Sequence, residues 1–119
     1  MIKKHPDSLG SFEQIVLTAV LALDDDAYGM AVYNKVVELG GKAVKIGAVY
    51  VTLDRMEDKG LLSSSETEPL AERGGRRKRV YRLEGPGKRA LQGSAVTAKR
   101  VYETVEASWR FGKWRPSQK

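Results

Sequence analysis

Arg73 to Arg82 read Arg-Gly-Gly-Arg-Arg-Lys-Arg-Val-Tyr-Arg, a glycine turn dense in cations that runs into a short alternating segment. The chemistry this offers is a grip on polyanions. Two adjacent glycines let the backbone turn through positive φ, and arginines beside them lay planar forks of donors on phosphate oxygens. Val80, Tyr81 and Leu83 would anchor the strand that presents those cations. The competing reading is a solvated basic hairpin with no partner.

Other chemistries find little material. The chain has no cysteine, which excludes disulfides, thiolate metal sites and cysteine nucleophiles and fits a reducing cytoplasm. Its one histidine, His5, forms no recognisable nucleophile–base pair and no phosphate-cradling P-loop accompanies it, so neither catalysis nor a cofactor is expected. Asp24-Asp25-Asp26 lack the alternating spacing and glycine of a calcium loop. A net charge of +6 over 119 residues favours a polyanionic partner. The charge is focused: Arg73 to Arg89 hold eight cations against the single acid Glu84, whereas Asp54 to Glu72 are mainly acidic. Lys3 and Lys4 ahead of the apolar run Ile15 to Leu23 imitate a secretory signal, but Glu13 and Gln14 interrupt the approach and three aspartates end the run. That run is also too short for a bilayer, which takes about 20 apolar residues, so no membrane partner is expected.

Those cations need elements to position them. Ser11 can cap a first helix, with Gln14 completing a capping box. Phe12, Ile15, Val16, Ala19, Val20 and Leu23 recur at helical spacing, and Leu17 and Leu21 make the helix apolar nearly all round, as in a helix buried between others. Asp26 can cap a second helix over Ala27 to Leu39, ended by Gly40-Gly41. A third runs from Gly47 to Lys59, with Gly60 at its C′ position. Ile46, Val49, Leu53 and Met56 fall on one side of it, and Gly47, Ala48, Val51 and Arg55 on the other, with Tyr50 and Thr52 at the borders. Leu61 onward is a strand, Pro69 to Arg77 a loop and Lys78 to Leu83 the returning strand. Gly85-Pro86-Gly87 start a last helix, with proline in the first turn where its missing N–H costs nothing. Leu91, Ala95, Ala98, Tyr102, Val105 and Trp109 follow the spacing of a two-helix seam. At about 24 residues, or roughly 36 Å, this helix is long for so small a domain, and a second copy of the chain is its expected partner.

Helix, helix, helix, hairpin, helix is the order of a winged helix-turn-helix with an added C-terminal dimerisation helix. The expected class is therefore mainly α with a β-hairpin (α+β), divided into a DNA-binding domain over residues 1–84 and a helix and tail over 85–119. Tyr28-Gly29, the run from Gly47 to Leu62, Arg73 to Leu83 and Gly87 to Leu91 together resemble the PadR family of bacterial transcriptional regulators. The resemblance spans about Phe12 to Leu91, followed by the single C-terminal helix of the family's short-chain branch. It implies a homodimeric repressor whose third helices enter successive major grooves while the wings touch flanking phosphate or minor groove. Tyr50 matches the family's recognition-helix tyrosine and Gly47 the small residue at its start. Arg73, Arg76, Arg77 and Lys78 match wing positions. Lys45-Ile46 replace a common Ser-Pro, and Glu84 a common capping threonine.

The expected function is sequence-specific binding of double-stranded DNA in the cytoplasm. Gly47, Ala48, Tyr50, Val51, Thr52 and Arg55 are the candidates on the recognition helix. Lys42, Lys45, Arg73, Gly74, Gly75, Arg76, Arg77, Lys78 and Arg79 are those for phosphate and the wing. Arg55 could instead pair with Asp54 or Asp58, and Tyr50 either meets phosphate or packs inward. Some short-chain relatives stack a planar effector on an aromatic of the last helix, so Trp109, with Tyr102, is either an effector site or part of a closed seam. The alternatives are a basic winged-helix module that binds RNA, or one that serves as a protein-interaction adaptor.

Overall fold

The computed structural model describes residues 8–67 and 78–117. Its elements are α1 (Ser11–Leu23), α2 (Gly29–Gly40), α3 (Ile46–Asp58), β1 (Leu62–Glu66), β2 (Arg79–Leu83) and α4 (Gly85–Arg110). This is the expected mainly helical class with an antiparallel hairpin, in register Leu62 with Leu83 through Glu66 with Arg79. Beyond the strands, the Thr67 N–H donates to the Lys78 carbonyl at 2.7 Å. Arg73, Gly74, Gly75, Arg76 and Arg77, named above as wing residues, lie outside the described residues, as does His5.

The apolar period of α1 makes it the centre of the core. Val16, Leu17, Ala19 and Val20 are buried and pack with Val32 and Val36 of α2, Val49, Leu53 and Met56 of α3, Leu62 of β1 and Tyr81 of β2. Leu21, expected to extend that surface, is 56% exposed.

Two helix starts differ from the sequence expectation. The cap of α1 is Gly10, not Ser11, and Glu13 closes the box by accepting the Gly10 N–H on Oε1 at 2.8 Å. With the cap one residue earlier, Glu13 and not Gln14 stands at the third helical position, from which a side chain reaches the cap N–H. The start of α2 moves from Ala27 to Gly29, and Asp24–Asp26 form a 3-10 turn in place of a cap. The reason is tertiary. The Ala27 carbonyl accepts the Tyr81 N–H at 2.9 Å, and Tyr28 bridges Val80, so these two residues are drawn into a third strand position beside β2. The chain makes this turn at Asp24, whose φ is 52°.

The end of α3 and the start of α4 are as expected. Gly60 follows α3 with φ 78°, and Pro86 occupies the first turn of α4. Gly87 lets α4 touch the hairpin: a Cβ there would lie 2.8 Å from Leu83 Cδ1 and would also strike the Leu61 carbonyl oxygen. Ala90 and Leu91 complete the buried part of α4. The rest of the helix projects, giving the molecule extents of 64 × 33 × 24 Å. No helix among the described residues is long and apolar enough to cross a membrane.

Candidate nucleic-acid interface

The outward face of α3 is built by its own period. Gly47, Ala48 and Val51 are exposed, Val51 at 60%, and among the described residues a Cβ added at Gly47 would meet no atom within 4 Å. Val49, Leu53 and Met56 on the opposite arc are fully buried. Two border assignments change. Thr52 is only 3% exposed, which removes it from the recognition surface: it lies within roughly 60° of Val49 and Met56 around the helix, inside the arc that faces α1. Ile46, expected inward, is 41% exposed because it begins the helix at the edge of the core.

Lys45 caps α3 without a side-chain hydrogen bond. The missing cap is offset by a tertiary tie: the Tyr33 hydroxyl of α2 donates to the Val44 carbonyl at 3.0 Å and fixes the turn that leads into α3. Lys42 and Lys45 are exposed in that turn. Glu84 likewise caps α4 without its side chain, whose carboxylate accepts the Ser63 hydroxyl at 2.5 Å instead.

Tyr50 settles between its two expected roles. Its ring lies on Gly29 at the start of α2, where a Cβ would sit 2.7 Å from Tyr50 Cε1, and the residue remains 37% exposed. Tyr28, Gly29, Met30, Tyr50, Lys78, Arg79 and Tyr81 line one open cleft between α2, α3 and the hairpin. Lys78 Nζ stands 5.0 Å above the Tyr28 ring, a cation–π contact that holds the ammonium at the mouth of this cleft. The Tyr28-Gly29 pair thus joins the wing to the third helix: the tyrosine supports a wing cation and the glycine admits the α3 tyrosine.

Arg79 is both exposed and braced. Its guanidinium donates to Ser64 Oγ at 2.7 Å and lies 3.9 Å from Glu66, while the Ser64 hydroxyl donates to Glu57 of α3 at 2.8 Å. This relay ties the base of the hairpin to α3. Tyr81, the aromatic of β2, points inward and is 3% exposed, so β1 and β2 offer no stacking platform for single-stranded bases. Burial, with Asp54 nearby, pushes the Tyr81 phenol above its ordinary range.

Arg55 pairs with neither Asp54 nor Asp58. Its Nε lies 3.4 Å from Glu13 Oε2 of α1, and Lys59 Nζ lies 3.7 Å from the same oxygen. Burial works to raise the Glu13 pKa, but the Gly10 N–H, Lys59 and Arg55 together outweigh it and hold the carboxyl below the usual range. This junction was not visible in the sequence, where Glu13 in α1 and Arg55 in α3 are separated by the whole of α2.

The proposed seam on α4 divides in two. Leu91 belongs to the chain's own core at 9% exposure, so it is not available to a partner. Ala95, Ala98, Tyr102, Val105 and Trp109 are exposed, Tyr102 at 65% and Trp109 at 55%. Between α1 and α4 runs an open groove of about 920 Å³, lined in part by Leu9, Gln14, Ala98, Val101, Tyr102 and Val105. Trp109 packs edge-on to Trp114, with ring centroids 6.2 Å apart.

Comparison with known proteins agrees with this architecture. The model of the transcriptional regulator PadR-like family matches residues 17–93. A PadR-like transcription factor from Bacteroides fragilis is 26% identical with a TM-score of 0.61, over 80% of this chain and 86% of that one. A PadR family transcription regulator from Clostridium difficile is 24% identical, also with a TM-score of 0.61, over 86% and 98% of the two chains. BpsR from Bordetella bronchiseptica shares the fold at 18% identity and a TM-score of 0.64, over 97% of this chain and 73% of that one. The search of curated proteins gives no match. With the family model covering more than half of its residues, the chain belongs to the PadR-like family of transcriptional regulators.

Proposed function

We propose that the chain is a homodimeric repressor that binds double-stranded DNA sequence-specifically and is released by a small planar effector. The observation that carries this reading is the exposed, small leading face of α3 beside the cations at the base of the hairpin. Gly47, Ala48 and Val51 leave room for close approach to base edges, and Val51 and Ala48 suit thymine methyls. Tyr50, whose hydroxyl end lies against Gly29, stays 37% exposed in the cleft, where a backbone phosphate would pass. Lys42, Lys45, Lys78 and Arg79 flank that face, and Arg73, Arg76 and Arg77, next to Gly74 and Gly75 in the sequence, would extend the grip to neighbouring phosphates or a narrow minor groove.

Ala95, Ala98, Tyr102, Val105 and Trp109 form the surface on which a second copy would pair, presenting each α3 twice along one duplex. The first 84 residues then form the DNA-binding part and the remainder the dimerisation helix. Tyr102 on the groove and Trp109 beyond it suit an aromatic effector at the dimer seam. BpsR supports an effector of this kind, since its DNA binding is regulated by 6-hydroxynicotinic acid. The place of action is the cytoplasm.

Selection of bound genomic fragments tests the reading. The expected product is an inverted repeat with half-sites about one helical turn, or roughly 34 Å, apart. For about six neutralised phosphates, log affinity should fall against log salt with a slope near −5. Tighter binding to duplex RNA, or a slope near zero, would overturn it. Titration of phenolic and pyridine carboxylic acids against tryptophan fluorescence tests the effector, with a saturable change at Trp109 and release of DNA as the expected result.

A further inference from the structure

Arg55 of α3 and Lys59, the residue that caps its C-terminus, converge on one acid from a different helix. Arg55 and Lys59 have half-exposed side chains, at 48% and 49%, whereas the Glu13 side chain that they share is 14% exposed. Glu13 is held from its other oxygen by the Gly10 N–H, so its carboxylate is fixed at the first turn of α1 and the longer side chains reach to it. Arg55 stands one helical turn beyond Val51 on the outward arc of α3. In a helix laid in a groove, that is where an arginine meets the phosphate wall, and its fork suits a phosphate oxygen better than almost any other side chain. Arginine at this place would grip any duplex, whatever its sequence.

We propose that Glu13 is a positioning residue for sequence discrimination: it holds Arg55 and Lys59 away from phosphate, so that the second half of α3 adds no sequence-independent affinity. Asp54, Glu57 and Asp58 act in the same sense on that half of the helix. Asp54, Glu57 and Asp58 already outnumber Arg55 and Lys59, and what Glu13 adds is the fixed position of the two cations, so that the neutral face from Gly47 to Val51 is left to choose the site. Glu13 thereby raises the ratio of specific to non-specific affinity without itself touching DNA. The inference rests on the reading that α3 faces DNA.

The test uses the full chain and its E13Q variant on the selected operator and on a scrambled duplex of equal length, between 50 and 200 mM salt. Freeing Arg55 in both protomers should steepen the slope of log affinity against log salt by about two, and tighten binding to the scrambled duplex about tenfold, more than to the operator. In an R55Q/K59Q background the E13Q change should move neither quantity, which a general effect on folding would not reproduce. Arg55, a recognition-helix candidate in the sequence, is on this proposal withdrawn from DNA by Glu13, so the R55Q/K59Q variant alone should keep the wild-type slope, and this arm needs no change at the α1 cap. An unchanged slope in folded E13Q, an equal effect in the R55Q/K59Q background, or a shallower slope in R55Q/K59Q overturns the proposal while leaving the DNA reading intact. Failure of the wild-type chain to bind either duplex overturns both.

Discussion

Helices α3 and α4 each leave apolar residues in water, but of opposite kinds. On α3 the outward face of the first turns is small, Gly47, Ala48 and Val51, flanked by half-exposed Ile46 and Tyr50, and the helix is braced on three sides by α1, α2 and the hairpin. On α4 they are large, Val101, Tyr102, Val105 and Trp109, and beyond Leu91 most of the helix is exposed. A rigid face of small residues allows close approach to a surface of fixed shape such as a DNA groove. A long face of bulky apolar residues loses most by staying in water, and gains most by packing on a like face. On the proposed function, the difference separates reading from assembly.

Breaking the assembly side should have the largest effect. The double variant Y102E/V105E puts charge into the exposed face without touching the core. It should give a monomer by light scattering, with the thermal melt of the winged domain retained, and operator affinity should fall at least about a hundredfold as the two half-sites lose their link. Binding to an isolated half-site should be unchanged.

The reverse experiment is Val51→Glu. At 60% exposure Val51 contributes little to the fold, so Tm should hold and the dimer should persist. A carboxylate aimed at the groove should weaken operator binding about 10- to 100-fold by electrophoretic mobility shift. A variant that lost dimerisation as well would merge the two faces.

A third change probes the mounting of α3. Gly29→Ala forces a methyl against the Tyr50 ring and should cost about 1–3 kcal/mol in denaturant unfolding. Adding Tyr50→Ala should recover most of that loss, because the obstruction goes with the ring.

The smallest effect is on pH. Glu13 has its folded pKa below its ordinary value of 4.5, so its contribution to stability is present above that value and is lost as pH falls through the lower folded one. Tyr81 has its folded pKa above 10.0, so its contribution is lost as pH rises beyond that range. The E13Q variant should flatten the acid limb of a Tm–pH curve, and Tyr81→Phe the alkaline limb.

Much of this comparison was legible in the chain itself. The inward set Val49, Leu53 and Met56, the opposing small residues of α3, the Gly60 stop and the Pro86 start all follow from local period and backbone preference, which act over a few residues. Borders fared worse. Thr52 and Ile46 exchanged sides because helix period gives an arc but not the direction in which neighbouring helices lie. Leu91 fits the seam's spacing yet belongs to the core, since spacing cannot say where one contact ends and the next begins.

The amino-acid sequence by itself determined the order of elements, the apolar side of each helix, the basic hairpin and the long projecting helix. The tertiary structure alone decided that Ala27 and Tyr28 join the sheet rather than open α2, that Tyr50 rests on Gly29, and that Arg55 and Lys59 are bound to Glu13. The physical reason is range. Helical period and turn chemistry are set by neighbours in the chain, whereas a bridge, a close approach or an ion pair between segments about 20 to 50 residues apart exists only once packing fixes their relative positions.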